Sequence, residues 1–150
     1  MADPVVLDTS ACFALLQNEA GAETVETCLV EAREGRGVAH TSFATLTEVE
    51  YIVTQERNAT DAAQALAKMK AWPIQWLHSD DALCSSAAKL KAAHKVSFAD
   101  AFVAATALRL KATLVHKDPE FDALAGVIKL HGLPPKGRAD GTPARQQPGS

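Results

Sequence analysis

The chain is short of most features that would place it outside the ordinary globular class. Its 150 residues include three cysteines, Cys12, Cys28 and Cys84, an odd count at wide spacings. These match neither a disulfide framework nor a zinc pattern, and they fit a reducing cytoplasm. Aromatic residues make up only 5%. No apolar run approaches the roughly 20 residues of a membrane span. The opening Met-Ala-Asp-Pro carries no basic n-region, so a secretory signal is not expected. Positive charge is not in excess. The formal net charge is -3, which argues against a protein that grips nucleic acid by bulk charge alone. Any nucleic-acid chemistry then needs a local device such as a bound metal.

What is present suits one folded domain. Hydrophobic residues make up 47% and charged residues 22%, a composition that excludes disorder. A chain of this length buries roughly 70% of its unfolded surface. Short apolar runs read as strands at 5–7, 38–41, 74–77, 112–115 and 127–130. Helical patterns fall at 11–16, 22–34, 43–56, 60–71, 80–94 and 97–111, with one more helical turn opened by Asp118-Pro119. Strands that alternate with helices predict a parallel sheet covered on both faces, a three-layer α/β/α fold of about five strands. The domain is expected to span residues 1–133. From Pro134 onward, four prolines and three glycines fall within 17 residues with almost no apolar side chains, so 134–150 reads as a flexible tail.

In an open parallel sheet, ligands bind at the carboxyl ends of the strands. Asp8 follows the first strand and Asp118 the fourth. Asp100 lies in the first turn of the helix opened by Ser97, and Glu48 in the second turn of the helix after the second strand. Each has an ordinary structural role as well. Asp8 and Asp118 suit helix caps, Ser97 with Asp100 approximates a capping box, and Glu48, like Glu50, suits a solvated face. Asp100 is the least ordinary, because the residues around it, Phe98 to Ala105, are otherwise apolar and imply a buried helix. Periodicity does not choose between Glu48 and Glu50. Converging carboxylates repel one another, by about 4 kcal/mol per pair at 4 Å and an effective dielectric near 20. Raised pKa values or a bound cation relieve that repulsion. An all-oxygen set selects a hard ion, Mg²⁺ or Mn²⁺.

Four segments resemble, in order, the acidic motifs of PIN domains, at the lengths of VapC-type toxins. They are Val-Val-Leu-Asp8-Thr-Ser-Ala, Thr45-Leu-Thr-Glu48-Val-Glu-Tyr, Ser97-Phe-Ala-Asp100-Ala-Phe-Val-Ala-Ala-Thr-Ala-Leu108 and Leu114-Val-His-Lys-Asp118-Pro-Glu-Phe121. The third is the most specific. The resemblance implies a strand order of 3-2-1-4-5 and a Mg²⁺- or Mn²⁺-dependent ribonuclease. It also implies a homodimer and a cognate VapB-like antitoxin. It carries Asp8, Glu48, Asp100 and Asp118 over as catalytic, with Asp8, Asp100 and Asp118 as metal ligands, and it prefers Glu48 to Glu50. One position departs from the pattern. Two residues before the fourth acid the family has Thr or Ser, and here stands His116, able to donate a hydrogen bond, to tune pH dependence or to weaken the site. Thr9 remains as a small hydroxyl beside Asp8.

Cations that can meet phosphates are Lys89, Lys91, Lys95, Arg109, Lys111 and Lys117, though an ordinary solvated helix face explains them equally. Trp72 and Trp76 suit base stacking less well than core packing. His40, His78, His94 and His131 have no ligand spacing. The alternative reading is a non-catalytic PIN-like RNA-binding or scaffold domain, with His116 marking decay of the site. Phosphatases of the haloacid dehalogenase type need an acid where Ser10 stands. A receiver domain needs an acid after the third strand, where His78 and Ser79 stand.

Overall fold

In the computed structural model the structure describes residues 3–135. The expected tail at 134–150 therefore lies outside the described residues, apart from Pro134 and Pro135. Five parallel strands, β1 (Val5–Leu7), β2 (Ala39–Ser42), β3 (Ile74–Leu77), β4 (Thr113–His116) and β5 (Lys129–Gly132), form one sheet in the order β3-β2-β1-β4-β5. Six α-helices connect them: α1 (Thr9–Leu16), α2 (Ala22–Arg33), α3 (Phe43–Glu56), α4 (Ala59–Ala71), α5 (Asp81–Ala93) and α6 (Phe98–Leu110). A 3-10 helix, Pro119–Leu124, links β4 to β5.

The central strands are apolar on both sides because both sides are covered. Val6 and Leu114 join a core with Leu83, Val103, Phe121 and Leu124, on the side of α5 and α6. Leu7 and Val115 face the opposite way, onto Ala14, Val25, Val49 and Met69 from the first four helices. Trp72 and Trp76 pack against this second core. Helix α6 is buried along nearly its whole length, from Asp100 to Ala107, as its apolar circumference predicts.

The fifth strand lies two residues later than the apolar run suggests. Val127 sits in a turn and is 39% exposed, and the strand is Lys129–Gly132 instead. An edge strand has one neighbour, so its register is set by pairing with β4 (Leu114 opposite Leu130) and not by its own hydrophobicity. Among the described residues no helix is long and apolar enough to cross a membrane.

Candidate active site

Three local caps place three acids at the carboxyl edge of the sheet. Asp8 leaves β1 in extended conformation, its backbone N–H donating to the Val115 carbonyl (3.0 Å). It then caps α1, with Oδ2 accepting from the Ser10 backbone N–H (3.1 Å) and the Ser10 hydroxyl (2.5 Å). Asp118 caps the 3-10 helix through the Glu120 N–H (2.9 Å). At α6 the Ser97 hydroxyl accepts from the Asp100 N–H (3.2 Å). The reciprocal bond of a capping box is not made by Asp100, because the Ser97 N–H donates to Glu120 instead. Glu120 takes that capping bond and also meets the Asp100 carboxyl side chain to side chain. The capping and site roles of these acids are compatible, because a carboxylate has two oxygens.

The sequence-predicted acids come together. Asp8 and Asp100 are 2% and 6% exposed. Asp100 feels the charges of Asp8, Asp118 and Glu120, and Asp8 feels that of Glu48. Ligand oxygens of Asp100, Asp118 and Glu120 lie within 4.8 Å of one another. Glu120 is the member that motif reading did not single out. Its only signal was a carboxylate two residues after Asp118, at the start of a turn that brings it back over α6. Glu50, by contrast, is exposed on α3, outside the cluster.

Glu48 is fixed from α1. The Thr9 hydroxyl donates to Glu48 Oε1 (2.6 Å), and the Thr45 hydroxyl supplies Thr9 with a hydrogen bond in turn (3.0 Å). His116 is buried with its ring edge-on to Phe121, centroids 5.2 Å apart. Its Nδ1 has no hydrogen-bond partner. Burial holds its pKa below the ordinary histidine range, against smaller opposing effects from the Asp118 backbone and the Asp122 and Asp118 charges. The imidazole is thus a neutral packing group at neutral pH.

The electrostatics are those of a site short of positive charge. Burial, with a smaller contribution from Glu48, pushes the Asp8 carboxyl up to about 6 despite its bonds to Ser10. Burial and then the charges of Asp8 and Asp118 push Asp100 to about 9. Asp8 Oδ1 is buried without a hydrogen-bond partner. A buried carboxylate oxygen left unpaired is costly, and a cation bound there relieves the cost. The clustered ligand atoms are all carboxylate oxygens, the donor set of a hard divalent ion. The residues therefore fit Mg²⁺ or Mn²⁺.

Of the six cations considered for phosphate contact, three are engaged within the protein. Lys91 donates to the Val96 carbonyl (2.9 Å). Arg109 makes a two-pronged contact with Asp80 (2.9 and 2.7 Å). Lys117 is buried against Glu19.

A parallel 3-2-1-4-5 sheet that gathers carboxylates at its carboxyl edge defines an α/β protein with an acidic, cation-seeking centre. The PIN-domain family model matches residues 5–127, and the chain belongs to that family. Among solved structures, the fold resembles VapBC2 from Rickettsia felis bound to a promoter DNA fragment. There the TM-score is 0.71 at 15% identity, over 87% of this chain and 99% of that one. It also resembles DNA-bound VapBC from Salmonella typhimurium, with a TM-score of 0.69 at 18% identity, over 87% and 98%. A third is VapC20 of Mycobacterium tuberculosis, described as a sarcin-ricin loop cleaving toxin, with a TM-score of 0.65 at 21% identity, over 83% and 95%. At such identities the likeness is one of fold. No curated protein matches the chain by sequence.

Proposed function

We propose that the protein is a divalent-metal-dependent ribonuclease acting on single-stranded RNA, the toxin of a toxin–antitoxin pair. The observation that carries this reading is the meeting of Asp100, Asp118 and Glu120 oxygens, beside buried Asp8 with its unpartnered Oδ1. Asp8, Asp100 and Asp118 would hold Mg²⁺ or Mn²⁺, with Glu120 as a further oxygen donor. A bound divalent ion supplies charge neutralisation for a phosphodiester and a more acidic water. Glu48, held at Oε1 by Thr9, orients the attacking water and takes its proton at Oε2. The Thr45 hydroxyl holds Thr9 in the rotamer that reaches Glu48. His116, two residues before Asp118, is held edge-on against Phe121.

The partner reading has a place on the surface. Two adjoining cavities of about 440 and 880 Å³ share Phe13, Gln17, Glu19 and Glu56. Together they run from Ser10 and Asp118, at the acids, to Arg57 and Lys68 on the far side. An antitoxin segment lying along this path would rest on Phe13, Leu16 and Val53 and reach the acids with a basic side chain. VapBC-5 from Mycobacterium tuberculosis, whose fold is also similar, is described as a member of the VapBC family of toxin–antitoxin systems. A homodimer is part of the same proposal, on the family resemblance alone.

The direct test is cleavage of a labelled single-stranded RNA. Hydrolysis is expected with Mn²⁺, none in chelator, and none of a generic phosphomonoester in either. Phosphomonoester hydrolysis without RNA cleavage would replace the reading with a phosphatase. Binding of RNA with no turnover in any divalent ion would leave the scaffold alternative. A finer check addresses Glu48: Thr9→Val is expected to lower kcat about 10-fold, less than the roughly 10²–10⁴-fold that a proton-transfer group itself contributes, while the Mn²⁺ affinity stays as in the wild type. An equal fall in both would mean that Thr9 supports the metal cradle and not the base.

A further inference from the structure

Lys117 directly precedes Asp118, yet its ammonium is bound away from the acids of the site, to Glu19 and Ala20. The side chain is only 5% exposed, and Nζ donates to the Ala20 carbonyl (2.9 Å) and to Glu19 Oε1 (3.3 Å). Taking an ammonium out of water costs several kcal/mol. An apolar side chain of similar length would fill the same space without that cost. Stability therefore does not account for a lysine here, and its placement invites a functional reason.

The backbone of the same residue supplies one. The Lys117 N–H donates to the Ser10 hydroxyl (2.9 Å), and that hydroxyl donates to Asp8 Oδ2 (2.5 Å). Asp118 is the next residue. Lys117 is thus tied to the Asp8 side of the site by its main chain and to the loop between α1 and α2 by its ammonium. That loop is itself fixed. The Glu19 N–H donates to the Ala14 carbonyl (2.7 Å) and the Ala22 N–H to the Glu19 carbonyl (3.0 Å). Gly21 adopts φ +95, and a Cβ there would meet Leu133 Cβ at 3.0 Å, so only glycine suits this close approach. Leu133 in turn donates its N–H to the His116 carbonyl (2.7 Å). The circuit closes on the strand end that bears Lys117.

We propose that Lys117 is a positioning residue for the metal centre. Its buried ammonium, anchored on Glu19 and Ala20, holds the Asp118 loop against Ser10 and so sets the spacing of Asp118 from Asp8. The proposal rests on the metal-nuclease reading above. The charge of Lys117 is paired locally with Glu19, so its effect on the acids is one of position. Supporting groups of this kind alter metal affinity about 10- to 100-fold when removed.

The test is Mn²⁺ binding, read from the free-ion electron paramagnetic resonance signal, alongside melting of the metal-free protein. Lys117→Met keeps the stem and removes the ammonium. It is expected to weaken Mn²⁺ binding about 10-fold, and Lys117→Arg, which retains a donor to both acceptors, is expected to recover most of that loss. Glu19→Gln, which keeps a side-chain acceptor for the buried ammonium, is expected to weaken binding by less than about 10-fold and carries the test if Lys117→Met fails to fold. A lowered melting temperature with wild-type Mn²⁺ affinity in the folded variants would make Lys117 merely structural and overturn the proposal. Wild-type protein that binds no Mn²⁺ would overturn the nuclease reading first, and this inference with it.

Discussion

Asp8→Asn is expected to abolish RNA hydrolysis and, at pH 8, to raise the melting temperature of the metal-free protein. Both effects come from one carboxylate. Asn caps a helix about as well as Asp, so the bonds to Ser10 at the start of α1 survive. What is lost is a buried negative charge beside Glu48 and Asp100. On the proposed nuclease reading the metal cradle then lacks a ligand, and a loss of about 10³-fold, or ~4 kcal/mol of barrier, is expected. Asp100→Asn should be equally inactive. Its carboxyl, held near 9, already carries a proton in the metal-free protein at pH 7. Asn imitates that form in the folded chain without needing a proton that the unfolded wild-type carboxyl has released, so melting of the metal-free protein at pH 7 should rise. Wild-type cleavage rates in both variants with Mn²⁺ present would end the nuclease proposal.

The metal-free protein should lose stability as the pH rises from 5 to 8. Asp8 has a folded-state pKa of about 6 against an ordinary value of 3.8. Between those values the folded chain holds a proton that the unfolded chain has released. The associated stability is complete below 3.8 and is lost as the pH climbs through 6. At 1.36 kcal/mol per pKa unit the whole change is about 3 kcal/mol, of which about 1.4 kcal/mol falls between pH 5 and pH 8, a fall of roughly 3–6 °C from Asp8 for a domain of this size. Asp100, raised for the same leading reason, continues the decline toward pH 9. A divalent ion acts in the opposite sense. It competes with protons for the same oxygens, so the melting increment from Mn²⁺ should grow with pH. Melting curves in chelator and in Mn²⁺, at pH 5 and pH 8, measure both effects. A flat or rising profile in chelator, or an equal Mn²⁺ increment at the two values, would contradict the picture of mutually repelling buried acids.

Much of this centre was legible because its parts obey local rules. Asp8, Ser97 and Asp118 are caps, and caps mark where helices begin beside strand ends. The apolar circumference of α6 marked Asp100 as a carboxylate without an ordinary reason to be there. Glu48 was not separable from Glu50 by periodicity, because both interrupt the same apolar helix. Tertiary contact separates them: Glu48 meets the Thr9 hydroxyl, and Glu50 meets solvent. Glu120 was passed over because its role depends on a non-local bond, to the Ser97 N–H 23 positions away. The cations were misleading for a related reason. Lys91 and Arg109 read as available charge along helix faces, and each is taken up by an acceptor on another segment.

The amino-acid order by itself determined the alternation of strands and helices, the two-sided burial of β1 and β4 and the acids at their carboxyl ends, since each follows from periodicity or capping within a few residues. Tertiary structure alone decided the register of β5, the recruitment of Glu120, the orphaned oxygen of Asp8 and the burial of Lys117 against Glu19. Those depend on which distant surfaces meet. Burial then sets the price of a charge, and that is a property of the assembled fold and not of any segment of the chain.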